Sequence, residues 1–244
     1  MHFHNLFLTF VFIIYFKLVN LRCTRTFFPL STGEPPIPEL DLGFAIAAGS
    51  LDATETFQLM KDTIAAIISE YQLDKINYGL VVFGDAATIQ IEFGEYSNVD
   101  NLLRDLRFIP KKRSGASLTD ALREGDSLFS SSDVRPLAKK VLVVITDLAS
   151  GESSSLIEEA ARPLQDKGVK IVAVAIGKEA DPKELETFTP VDKIIEEEKT
   201  VQPTDLKKTI MEKVLTGWFA ANITLFVFVF LYLKLIICVV KVDW

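Results

Sequence analysis

Side chains able to do chemistry are unevenly spread along these 244 residues. Both histidines, His2 and His4, and one of the two cysteines, Cys23, fall in the first 23 positions, while the second cysteine, Cys238, sits inside an apolar stretch near the other end. Between them, few general bases remain besides carboxylates and lysines. The sequence has no GxGxxG or GxxxxGK[ST] loop to cradle phosphate and no GxSxG elbow to expose a nucleophile. The residues therefore point to binding rather than to an enzyme. A net charge of -7 argues against a nucleic-acid surface, and the one tight basic cluster, Lys111, Lys112 and Arg113, reads as a solvated loop.

Any binding residues have to be positioned by the elements around them. Apolar runs of strand length, at 40–47, 78–83, 141–146, 169–176 and 193–195, alternate with amphipathic stretches, and an alternating strand covers 88–93. Phe57, Met60, Ile64, Ile67, Ile68 and Tyr71 recur at helical spacing and predict a core-facing helix over 54–71, with Asp52 or Thr54 as its cap. Further helices are expected at 99–106, from about Ser117, at 156–165, at 182–188, and at 205–215 with Thr204 as cap. The run VLVVIT at 141–146 has to be covered on both faces. This order implies an α/β fold: a doubly wound, mostly parallel six-stranded sheet with helices on both faces. The short Gly84-Asp85 link between two strands makes one edge strand an antiparallel hairpin partner.

In such sheets ligands bind beyond the carboxyl ends of the strands. That singles out the loops at 47–51 and 114–117 and the segment from Asp147 onward, and within them Gly49, Ser50, Leu51, Ser117 and Asp147 as candidate partner-binding residues. Three of them also have a plain structural reading. Asp147 would accept backbone N–H bonds from neighbouring loops, Ser117 would cap the helix that follows, and Leu51 would be an ordinary exposed leucine. Glu196-Glu197-Glu198 reads as a solvated acidic turn.

The ends of the chain carry addresses. Residues 6–16 form an 11-residue apolar run, short for a bilayer span and suited to a secretory signal peptide over 1–23; an uncleaved anchor is the alternative, since the positive charges follow the run. Residues 24–38, rich in proline at their end, read as a leader ahead of a domain at 39–216. Residues 217–241 are mostly apolar, carry no charge apart from Lys234 and Lys241, and read as a transmembrane helix with Trp218 at the outer interface, leaving a tail at 242–244. The localisation implied is a single-pass type I protein at the cell surface, or a secreted one if the tail is removed; exchange of this segment for a lipid anchor is the alternative to a retained span. With Cys23 and Cys238 both outside the domain, no disulfide is expected within it.

The strings DLGFAIAAGS, YGLVVFGDAATIQIEF, SGASLTDALR, KKVLVVITD and GVKIVAVAIGKEADPKELETF, in this order, resemble the von Willebrand factor type A (VWA) family over about residues 40–215. The texture is closest to the A domains of matrilins and type VI collagen. The resemblance implies an extracellular adhesion or assembly module with a protein or matrix component as partner. It also implies a metal-ion-dependent adhesion site, in which an Asp-x-Ser-x-Ser loop, a threonine and an aspartate hold Mg²⁺. In this chain Ala47, Gly49 and Leu51 replace the Asp and both Ser, leaving Ser117 near the threonine position and Asp147 at the last one. That remnant is not expected to suffice, so no cofactor is expected, although Ser50, Asp52 or Glu152 would restore an oxygen if the loop shifted. A second reading is an auxiliary subunit bound to a membrane protein through domain and tail helix, with Lys234 pairing an acidic residue of a partner helix or else snorkelling to the interface.

Overall fold

The computed structural model describes residues 39–48, 54–71, 73–111 and 115–215. The expected signal peptide, leader and membrane segment, and the loop carrying Gly49, Ser50, Leu51 and Asp52, lie outside the described residues. Among the described residues no helix is long and apolar enough to cross a membrane.

The elements run β1 (Leu40–Ala47), α1 (Thr54–Glu70), β2 (Ile76–Phe83), β3 (Ala87–Ile91), α2 (Val99–Phe108), α3 (Leu118–Leu128), β4 (Lys139–Thr146), α4 (Ser154–Asp166), β5 (Lys170–Ile176), α5 (Pro182–Leu185), β6 (Ile194–Glu197) and α6 (Pro203–Leu215). The six strands form one sheet in the order β3-β2-β1-β4-β5-β6. All neighbours pair in parallel except β2 and β3, so the Gly84-Asp85 link does make an antiparallel edge.

Alternation along the strands divides the core into two layers of different grain. Leu40, Leu42, Phe44 and Ile46 of β1 face a layer built with α1, α2 and α6. Its other face is small, with Gly43, Ala45 and Ala47 turned towards α3 and α4. Small residues let α3 approach closely. A methyl group at Gly79 would lie 2.8 Å from Leu128 Cδ2, and one at Gly125 would lie 2.8 Å from Leu142 Cδ2. These contacts seat α3, and with it Ser117 at its start, hard against the sheet.

Several expected boundaries shift. α5 stops at Leu185 rather than 188, closing through Glu186 and Thr187 turns onto Glu184 and Pro182 carbonyls. α6 starts at Pro203, whose ring presets φ and needs no N–H in a first turn, so Thr204 lies inside the helix rather than capping it. Glu196 and Glu197 belong to β6 instead of a turn, because β5 continues alongside and pairs with them.

Candidate functional site

The loops that follow the parallel strands are tied to one another by a small set of bonds. At the end of β1, Ala48 N donates to Phe83 O at 2.6 Å. The hairpin after β2 holds the third loop, because Ser117 N donates to Gly84 O at 3.0 Å. Gly115 permits this approach: its φ is +132°, and a Cβ there would lie 2.3 Å from Asp85 Oδ1 and 2.6 Å from Asp85 N.

Ser117 is the N-cap of α3, accepting Asp120 N at 3.2 Å. Its hydroxyl proton goes elsewhere, donated to Glu152 Oε1 at 2.8 Å, while Glu152 Oε2 accepts Thr119 N at 2.8 Å. One carboxylate thus bridges the hydroxyl and a free backbone N–H at a helix N-terminus, where negative charge is favoured. A second carboxylate ties the next loop: Glu184 accepts Ser150 N and Gly151 N, each at 2.8 Å. Ala149 N donates to Glu179 O at 2.7 Å in the same region.

Asp147 differs from both. Its side chain follows β4, the residue is 1% exposed, and neither carboxylate oxygen has a hydrogen-bond partner among the described residues. Among the described residues no backbone N–H of a neighbouring loop bonds it, and in its own loop Ala149, Ser150 and Gly151 direct theirs to Glu179 and Glu184. Burial pushes the Asp147 carboxyl above the usual carboxylate range, and Glu179 adds to this, while the fields of Lys199 and Lys111 and its own backbone pull it back. The Thr119 hydroxyl is a second buried group here without a partner.

Of the five candidate residues, Ser117 and Asp147 lie at the carboxyl end of the sheet, and Ser117 takes the capping role expected of it. Gly49, Ser50 and Leu51 lie outside the described residues. Glu184 is not among the residues the sequence singles out, and Glu152, there a stand-in oxygen, instead binds Ser117. Both are acidic residues near a helix start, five residues past Asp147 in one case and in the first turn of α5 in the other, and that placement was the available signal.

Residues 47–213 match the family model described as von Willebrand factor type A domain. The collagen alpha-1(XX) chain of Homo sapiens is 31% identical over 157 residues, 62% of this chain and 12% of that protein. Matrilin-1 of Homo sapiens is 30% identical over 141 residues, 56% of this chain and 28% of its own. The chain thus spans less than a third of the length of these curated relatives. Among solved structures, proximal thread matrix protein 1 from the mussel byssus, with a zinc-occupied metal-ion-dependent adhesion site, superposes with a TM-score of 0.61 at 24% identity, covering 73% of this chain and 45% of that one. A von Willebrand factor type A domain from Catenulispora acidiphila gives 0.58 at 16% identity, covering 72% and 42%. At these identities the structures speak for the fold alone.

Among the described residues, the side chains present do not complete the donor set that the divalent cation of that adhesion site needs. At the first ligand position Ala47 is fully buried and offers no oxygen. The Ser117 hydroxyl is spent on Glu152 and Asp120 N, and among the described residues no three His, Cys, Asp or Glu side chains group to hold a metal. Among the described residues here, Asp147 and the Thr119 hydroxyl offer unused oxygens, against the roughly six hard donors that Mg²⁺ takes.

Proposed function

The chain belongs to the von Willebrand factor type A family, and on that premise we propose that it is a non-enzymatic, extracellular protein-interaction module that engages a protein or matrix component without a bridging metal ion. The observation that carries the reading is the Ser117–Glu152 bond, which closes within the chain a hydroxyl that a metal would otherwise need. The relatives named as collagens and matrilin-1 support a matrix or adhesion setting. The binding face consists of the loops with Gly49, Ser50, Leu51, Ser117 and Asp147, beyond the carboxyl ends of the strands. Leu51 supplies an apolar contact at its rim.

Residues 1–23 act as a signal peptide and residues 217–241 as a single membrane span, which places the domain at 39–216 outside the cell surface; removal of the span leaves a secreted form. The length and apolarity of 217–241 and its Trp218 support this topology.

The test is binding of the full chain to a solubilised extracellular-matrix preparation in millimolar Mg²⁺ and in EDTA. Equal binding in both is expected, as is a loss of about tenfold or more, 1.4 kcal/mol, in Leu51→Arg at unchanged melting temperature. Binding that disappears in EDTA overturns the metal-free mode, and binding indifferent to both Leu51→Arg and Ser50→Arg overturns the face.

A further inference from the structure

Two loops at the opposite end of the sheet share a pattern. Ahead of β4 the chain reads Pro136-Leu137-Ala138-Lys139, and ahead of β6 it reads Pro190-Val191-Asp192-Lys193. In each, the residue after the proline is thrust into solvent, Leu137 at 95% and Val191 at 68% exposure, and a lysine follows two residues later. β4 and β6 flank β5, so both tips lie at the same end of the sheet, on either side of the start of β5.

Cations gather between them. Burial above all, with the charges of Lys193 and Lys139, brings the ammonium of Lys170, at the start of β5, down to about 8, while Asp192 opposes the shift. Lys213, in the last turn of α6, donates to Asp192 O at 2.8 Å, and Lys193 pairs with Asp192 Oδ2 at 3.0 Å. Three lysines, Lys170, Lys193 and Lys213, thus surround Asp192, and a fourth, Lys139, lies beside the exposed Glu39, whose carbonyl accepts Lys139 N. The balance at this spot is positive in a chain of net charge -7.

The chain also leaves the domain here. Lys170 Nζ donates to Lys213 O at 2.6 Å and Val214 O at 3.3 Å, fixing the last carbonyls of α6 at this end of the sheet. Leu215 ends the helix, and the apolar segment read from the sequence starts at Trp218, three residues on and at most about 11 Å away. With 217–241 in a bilayer, this end of the domain lies at the membrane surface.

We propose that the Leu137 and Val191 tips, with Lys139 and Lys213, form a lipid-contacting face that docks the domain on the membrane holding its own C-terminal segment. The apolar side chains enter the interfacial zone and the ammonium groups meet lipid phosphates. The face rests on the reading of 217–241 as a span. Its consequence is orientation: the loops around Ser117 and Asp147, at the other end of the strands, point away from the bilayer towards a partner.

The experiment uses the full chain with Cys23→Ser and Cys238→Ser, carrying a single fluorophore on Leu137→Cys, Val191→Cys or, at the other end, Leu156→Cys. Each is reconstituted into phosphatidylcholine–phosphatidylserine vesicles containing a headgroup-depth quencher, after testing retention against alkaline carbonate. The proposal expects retention, quenching at 137 and 191, none at 156, and loss of the tip quenching when Lys139→Glu and Lys213→Glu are added. A chain retained by the vesicles with tips quenched no more than 156 overturns the lipid face and leaves the span standing. A chain washed off by carbonate overturns both.

Discussion

Two buried aspartates stand at opposite ends of the same sheet and are treated in opposite ways. Asp41, at the start of β1, is fully buried and fully paired: Arg135 donates to it from Nε and from its backbone N, both at 2.8 Å, and goes on to Leu40 O and Lys75 O. Asp147, after β4, is as deeply buried and takes no hydrogen bond from any other described residue. A satisfied buried carboxylate fixes the packing of the chain around it. An unsatisfied one costs stability and persists at functional positions, where the fold is not optimised for itself.

The largest effect expected from this contrast is at the paired end. Arg135→Ala leaves Asp41 buried without its cation and should lower stability by about 3–5 kcal/mol, read as a fall in the urea midpoint at constant slope. A loss near zero would mean that solvent already reaches Asp41. At the other end the loops are pinned by sterics rather than charge. Gly115→Ala forces a Cβ against the Asp85 backbone at positive φ and should cost about 2 kcal/mol by the same measurement.

Asp147→Asn sharpens the comparison because its sign is reversed. The folded-state carboxyl is raised above its unfolded value by burial, so in the window between those two values the folded state holds more protons than the unfolded one. Stability then falls as pH rises through that window, and the penalty is fully present above the folded value and absent below the unfolded one. Asp147→Asn is expected to gain about 1 kcal/mol over the parent at pH values above the window, and the gain should vanish in acid. A variant less stable than the parent at neutral pH would show that the carboxylate has a partner. The smallest effect is at the Ser117–Glu152 bond: Ser117→Ala should cost about 1 kcal/mol as a lost cap, with a coupling of about 0.5–1 kcal/mol to Glu152→Gln in a double-mutant cycle.

The strands and most helices were legible because their apolar periods are strong: VLVVIT is buried from Val141 to Thr146, and the Phe57 to Ile68 stripe faces the core. Helix ends were less so, since Pro203 can start a helix as readily as Thr204 can cap one, and local chemistry does not choose. In the site, the cap at Ser117 could be read from its spacing. The carboxylate that receives its proton could not, because Glu152 lies 35 residues away and only the close seating of α3 against the sheet brings the two loops together. The isolation of Asp147 was equally hidden, as it follows from where Ala149, Ser150 and Gly151 direct their N–H groups.

The central claim, that the carboxyl end of the sheet works without a metal, is tested most directly by thermal melting of the full chain in millimolar Mg²⁺ and in EDTA. A native-state ligand at 100 times its Kd adds about 2.7 kcal/mol, or roughly 5–10 °C for a domain of this size. Coincident midpoints are the predicted result. A melting temperature raised by Mg²⁺ and restored by EDTA would contradict the account, and would mean that Asp147 spends its free oxygens on an ion after all.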